Sequence, residues 1–220
     1  MFVYQVADLK IIERLLEHSA LDMAISKPSG RLCSVSDATK KPTFERRLWM
    51  IHDSSYEYAF LGHRISELRL ARKEHFDMIN DVWTVPPEIS KMGNAIRRPI
   101  PKHIKPMLER LMNIYDGYLF PGSSLNAPLT ISAANKYIRR IRDTLPFATW
   151  RTHDFRRSIS TICSELGAAP HVVEKMLGHD LGGILAVYNK HDWLSEQKDA
   201  YENFAETLFR QVKVELNANS

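Results

Sequence analysis

Apolar residues recur at helical spacing through most of this chain. From Asp8 to about Ile25, the positions Leu9, Ile12, Leu15, Leu16 and Met23 share one face, with Asp8 placed to cap the start. Residues 27–41 read as loop, rich in Ser, Gly, Pro and Lys. A helical pattern resumes near Thr43, and another runs across Tyr56 to Leu70. The period then changes. Phe76 to Ile79 and Val82 to Val85 read as two strands around a tight turn at Asn80-Asp81, and Pro86 and Pro87 end the second. A third strand, Ile96 to Ile100, follows the turn Lys91-Met92-Gly93-Asn94.

Helical spacing returns afterwards. Ile104, Met107, Leu108, Leu111 and Tyr115 form one stripe; Ala134, Tyr137, Ile138 and Ile141 form the next, capped by Thr130 or Ser132. A helix opening after Thr152 places Phe155, Ile159, Ile162, Cys163 and Leu166 on one face and closes at Gly167. Pro170 starts a short helix that Gly178 stops. Ser195 to about Val214 is a last amphipathic helix, with Ala200, Phe204, Leu208 and Val212 or Val214 as its apolar face. The pattern predicts a mainly α fold with a small three-stranded antiparallel β-sheet.

Composition narrows the class without naming a function. With 44% hydrophobic and 25% charged residues, the 220-residue chain is ordinary for a folded protein and too apolar to be disordered throughout. No stretch comes near the ~20 unbroken apolar residues of a membrane span, and no secretory leader pattern opens the chain. Two cysteines, Cys33 and Cys163, make neither a disulfide framework nor a zinc site, so a cytoplasmic setting is expected.

Charge is distributed unevenly. The net value is +4, but the segment after His191 carries six acids against Lys198, Arg210 and Lys213, net −3, which leaves +7 for the body. Bases bunch over Lys91 to Lys105 (Lys91, Arg97, Arg98, Lys102, Lys105) and over Lys136 to Arg157, where seven face only Asp143 and Asp154. Such bunching fits a polyanion partner and fits solvated helix faces equally well.

Candidate chemistry lies at Thr152 to Arg157, T-H-D-F-R-R, where His153 and Arg156 share the first turn of a helix whose N-terminus is itself partly positive. An imidazole, a guanidinium and a helix end converging on one spot suit a phosphate. Taken alone, H-x-x-R describes an exposed surface pair better. Three further landmarks accompany it: Gly62-His63-Arg64-Ile65-Ser66-Glu67 upstream, Lys91 in the turn before the third strand, and Leu177-Gly178-His179 with Tyr188 nine residues beyond.

This ordered set resembles the tyrosine recombinases, the phage integrase family, over about Asp8 to Glu206. The resemblance implies the catalytic-domain fold of that family and a site-specific DNA recombinase that cleaves and rejoins strands through a 3′-phosphotyrosyl intermediate. It makes Tyr188 the nucleophile, and sets Arg64, Arg156 and His179 on the non-bridging oxygens. His153 would serve in proton transfer, Lys91 would protonate the leaving 5′-oxygen, and Glu67 would support the arginine helix. Arg139, Arg151 and Arg157 read as DNA-backbone contacts. Alternatives stay open at two positions: Lys102 and Lys105 for Lys91, and Tyr201 for Tyr188. His63, His171 and His191 match no reactive position and read as surface or packing residues.

With two arginines, a lysine and two histidines on hand, neither a metal nor another cofactor is expected; Asp77, Asp81 and Glu88 lack ligand spacing. The expected partners are double-stranded DNA, further copies of the chain in a DNA-bound tetramer, and accessory DNA-bending or excision factors. The terminal helix would cover its apolar face either on its own domain or on the next protomer. One catalytic domain is expected over residues 1–220, with a core over about 8–194, a C-terminal helix over about 195–214 and no separate N-terminal core-binding domain. Two rivals share parts of the pattern: a type IB topoisomerase, and a non-catalytic helix-turn-helix protein built on residues 154–177.

Overall fold

The computed structural model describes residues 62–122, 124–144, 151–179 and 191–218. The helices expected over 8–25 and from Thr43, the first half of the one across Tyr56 to Leu70, and Tyr188 lie outside the described residues. The described elements are α1 (Ile65–Arg69), a 3-10 turn (Lys73–His75), β1 (Phe76–Asp77), β2 (Val82–Val85), β3 (Ile96–Pro99), α2 (Lys105–Ile114), α3 (Ile131–Thr144), α4 (Thr152–Glu165), α5 (Pro170–Met176) and α6 (Leu194–Ala218). The expected fold class is borne out. Among the described residues, no helix is long and apolar enough to cross a membrane.

The sheet runs β1-β2-β3, antiparallel throughout, with Phe76 opposite Trp83 and Val85 opposite Ile96. β1 stops two residues earlier than its apolar run predicts. Asp77 turns the chain by accepting the backbone N–H groups of Ile79 (3.1 Å) and Asn80 (3.0 Å), which leaves Ile79 93% exposed at the turn. Asp81 then takes φ +54, and Lys105 reaches back to its carboxylate at 2.5 Å and to the Met78 carbonyl at 3.0 Å.

Helix boundaries follow local chemistry. α1 begins only after Arg64, because Gly62 is left-handed (φ +56) and Arg64 is extended, so the helical pattern across Tyr56 to Leu70 is interrupted there. Thr130, rather than Ser132, caps α3 through a 3.1 Å bond from the Ala133 N–H. The start of α4 is closed by Asp154, whose carboxylate accepts the Arg151 N–H at 2.7 Å. α5 ends in a paired closure: the Gly178 N–H bonds the Lys175 carbonyl and the His179 N–H bonds the Glu174 carbonyl, both at 2.9 Å.

One contiguous core joins these elements. Trp83, Leu68, Leu108, Ile159, Met176, Tyr201 and Phe204 are all buried in it. α6 lies across β3, α4 and α5, and Ala200, Tyr201, Phe204, Ala205 and Leu208 are buried there. Its apolar stripe is therefore covered in cis through Leu208, and the alternative of a face left open for the next protomer does not hold over that stretch. Tyr201 is a core residue, its hydroxyl donating to the Met176 carbonyl at 3.4 Å. Burial pushes its phenol well above the ordinary range, which removes it as a rival nucleophile.

Much of the first basic run is paired. Arg97 meets Asp192 at 3.0 Å, Arg98 meets Glu67 at 3.0 Å, Lys102 meets Glu202 at 3.1 Å and Glu206 at 3.4 Å, and Lys105 meets Asp81. The acidic tail thus folds back onto Lys102, and those bases serve the fold.

Candidate active site

α5 is short, yet its C-terminal carbonyls organise the site. Met176 accepts Arg98 Nε at 2.7 Å, and Leu177 accepts Arg156 Nη2 at 2.8 Å. Two guanidinium groups therefore sit where the helix dipole is negative. Arg156, on the buried face of α4, is anchored again by the Gly62 carbonyl through Nη1. Gly62 is needed for this approach: a Cβ there would lie 2.8 Å from Ile159 Cγ2, and the backbone is left-handed. The G-x-R segment and the H-x-x-R helix are thereby locked together.

Glu67 connects the remaining cations. Its Oε1 accepts Arg64 Nη1 at 3.0 Å and its Oε2 accepts Arg98 Nη2 at 3.0 Å, while the Arg64 N–H closes the same turn at 3.2 Å. Burial disfavours the Glu67 charge, but the field of Arg98 and the bonds from Arg64 outweigh it and hold the carboxyl below its ordinary range. Arg64 keeps 21% of its side chain in solvent and remains reachable by a ligand.

His179 follows Gly178 directly. Its Nε2 stands 3.0 Å from Arg156 Nη2, and its Nδ1 stands 2.7 Å from Glu174 Oε2. Burial lowers Arg156 to about 10, helped by the fields of Arg64 and Arg98, and this still leaves it charged at neutral pH. Gly62, Leu177 and His179 take three of its five N–H groups, which leaves Nε–H and one Nη1–H without a partner among the described residues. His153 is exposed at the start of α4, and partial desolvation with the fields of Arg156 and Arg157 lowers its basicity.

The structure forms two hydrogen-bonded pairs, Arg64–Glu67 and Arg156–His179, the second anchored on the Gly62 and Leu177 carbonyls. Lys91 is exposed in the loop between β2 and β3; that loop enters β3 at Ile96, which packs against Gly178. The rivals Lys102 and Lys105 are engaged with carboxylates elsewhere. Arg139, Arg151 and Arg157 are exposed. His63 is a packing residue, edge-on to Trp83 at 5.5 Å, and His171 packs on Trp193 at 4.5 Å. Sequence reasoning misses two members of the network. Arg98 falls among the surface bases by charge bunching, although its place in a strand facing Trp83 marks an inward position. Glu174 has a weaker signal, standing five residues before His179 where a helix-ending glycine turns the chain back.

Such a site can bind a phosphodiester. Arg64 and Arg156 offer N–H groups to non-bridging oxygens, and the charges are fixed in advance by Glu67 and by backbone carbonyls.

Comparisons with known proteins bear on the family and the fold. The sequence profile of the phage integrase family matches residues 59–193. The prophage integrase IntZ of Escherichia coli (strain K12) is 30% identical over 155 residues, covering 66% of this chain and 36% of IntZ. The chain thus spans about a third of that relative's length. Among solved structures, the integrase from mycobacterium phage Brujita superposes with TM-score 0.56 at 16% identity, covering 82% of this chain and 62% of that one. The Tn1549 transposon integrase in complex with transposon right end DNA gives 0.50 at 16% identity, covering 86% and 75%. XerA recombinase gives 0.50 at 14% identity, covering 86% and 65%.

Proposed function

The chain belongs to the phage integrase family, with the fold of a tyrosine recombinase catalytic domain, and from that premise we propose that it is the catalytic domain of a site-specific DNA recombinase. The observation that carries the reading is the pair of contacts Arg64–Glu67 and Arg156–His179, with Arg156 anchored on the Gly62 and Leu177 carbonyls and Tyr188 nine residues after His179 in sequence.

In this reading the Tyr188 phenolic oxygen attacks a DNA phosphorus in line. A Tyr188 O–P bond forms, the P–O5′ bond breaks, and the strand is held as a 3′-phosphotyrosyl link. The phenolic proton passes to His153, and Lys91 gives a proton to the leaving 5′-oxygen. Arg64, Arg156 and His179 bind the charge that builds on the non-bridging oxygens. Rejoining reverses these steps with the hydroxyl of another strand, so strand exchange needs no high-energy cofactor, and the cations replace a metal.

Double-stranded DNA is the partner, approached through Arg139, Arg151 and Arg157; the Tn1549 integrase, bound to transposon end DNA, supports the choice of partner. Exchange between two duplexes calls for several copies on DNA, a tetramer in the simplest scheme, with accessory DNA-bending or excision factors setting direction. The 220 residues are read as a single catalytic domain. A helix-turn-helix regulator would have no use for Arg64, Lys91 and Tyr188 at these spacings.

The test is cleavage of a pool of nicked duplexes randomised around the nick, in EDTA. An SDS-resistant protein–DNA adduct supports the proposal, and its loss in Tyr188→Phe with DNA affinity retained identifies the nucleophile. Cleavage only with added magnesium, leaving no adduct, would contradict it.

A further inference from the structure

We propose that Glu174 is a positioning residue that sets the protonation of His179, and that engagement of a phosphate by Arg156 and His179 takes up one proton. The proposal rests on the recombinase reading for its ligand, but its geometry stands in the free protein. Arginine can only donate, so the 3.0 Å contact from Arg156 Nη2 requires an unprotonated Nε2 on His179. A neutral imidazole then carries its proton on Nδ1, and Glu174 Oε2 accepts it at 2.7 Å. Both neighbours select one tautomer. The backbone bond from the His179 N–H to the Glu174 carbonyl, made possible by Gly178 at φ +64, fixes the two residues relative to each other.

This resting tautomer cannot donate from Nε2. A phosphate oxygen brought between Arg156 and His179 takes over the Arg156 N–H and presents an acceptor to a nitrogen that also has only a lone pair. The conflict is removed when a proton from solvent binds Nε2, giving an imidazolium that donates to the phosphate from Nε2 and to Glu174 from Nδ1. Among the described residues, the charged groups in contact with this ring are Arg156 on α4 and Glu174 on α5; Arg98 on β3 lies beside Gly178, and Arg64, Arg98 and Glu67 act on Arg156. Glu174 is the anion bonded to the ring, and it offsets the positive charge of Arg156 that opposes one on His179.

The test uses the full chain with 15N-labelled histidine and sulfate as the probe, since sulfate does not titrate near neutral pH. Without sulfate at pH 7, His179 should show a protonated Nδ1 and a bare Nε2; with sulfate, both nitrogens should be protonated. Glu174→Gln keeps an acceptor for Nδ1–H but lacks the charge, so the resting tautomer should persist while sulfate-driven protonation falls. Glu174→Ala should give mixed tautomers and bind sulfate about tenfold more weakly or worse. A proton on Nε2 in the free protein, spectra unchanged in Glu174→Ala, or sulfate leaving His179 neutral would each overturn the proposal. No readout depends on DNA cleavage. Failure to form an adduct with this coupling intact would strike the recombinase reading alone, and the reverse result would strike Glu174 alone.

Discussion

Glu67 and Arg98 form an ion pair at 3.0 Å in which neither side chain has any solvent exposure. The pair links β3 to α1, and the second oxygen of Glu67 fixes Arg64. Arg98 also lies over the Trp83 ring at 5.5 Å and caps the Met176 carbonyl. Arg64, which is partly exposed, is thus held by a carboxylate whose own charge is maintained from inside the core.

Arg98→Met should therefore be costly, because it leaves Glu67 ionised and unpaired in a buried place. A loss of about 3–5 kcal/mol is expected by urea unfolding. Adding Glu67→Gln to the same chain should recover part of it. A loss under about 1 kcal/mol for Arg98→Met would mean that the pair contributes little.

Acid should destabilise the fold in a defined window. Burial, with the field of Arg98 adding to it, lowers His63 from its ordinary value of 6.5 to about 3, so the folded protein holds it neutral. Between those limits the unfolded chain binds a proton that the folded one refuses, and stability rises with pH by about 1.4 kcal/mol per unit. Glu67, held below its ordinary 4.5, contributes stability above that pH and loses it as the pH falls further. His63→Gln should flatten the slope between pH 6.5 and about 3 in a series of denaturation curves, whatever it does to the overall level. An unchanged slope would assign the acid sensitivity to other groups.

Gly178 is the tightest point of the site. A Cβ there would stand 2.6 Å from Ile96 Cδ1 and 2.9 Å from Arg98 Nη2, on a backbone at φ +64. Gly178→Ala should cost about 1–3 kcal/mol in thermal or urea unfolding and shift the His179 resonances. A variant as stable as the parent with unmoved His179 signals would show that the turn has room to spare.

The order of elements was legible because each has a local cause: the Phe76–Val85 hairpin in its apolar runs around Asn80-Asp81, α5 in Pro170 and Gly178, α6 in the stripe from Ala200 to Leu208. The family landmarks were legible because their spacing is local as well. Partnerships between distant residues were not. Arg98 and Glu67 lie 31 positions apart, and Lys102 and Glu202 lie 100 apart; charge bunching in sequence says nothing about such pairing. Ile79 misled for the opposite reason: an apolar residue extends a strand pattern, but the Asp77 carboxylate had already claimed the next two N–H groups for a turn.

Exposed bases should behave differently from these buried ones. Arg139→Ala and Arg157→Ala should each weaken duplex binding with little effect on stability. Each should also lower the salt dependence by about 0.9 in log K per log salt for every phosphate that the shortened side chain no longer neutralises. Cleavage position should not move, because phosphate contacts position the protein and carry no sequence information. Fluorescence anisotropy across a salt series measures this directly, and an unchanged slope in both variants would place the DNA elsewhere.

Strand cleavage as proposed joins Tyr188 covalently to DNA. Its most direct measurement is mass spectrometry of the adduct trapped on nicked duplexes, after protease and nuclease digestion. A single nucleotide-bearing peptide is expected, with the 3′-phosphate on Tyr188. A modified residue other than Tyr188, or a DNA product cut without any peptide attached, would contradict it.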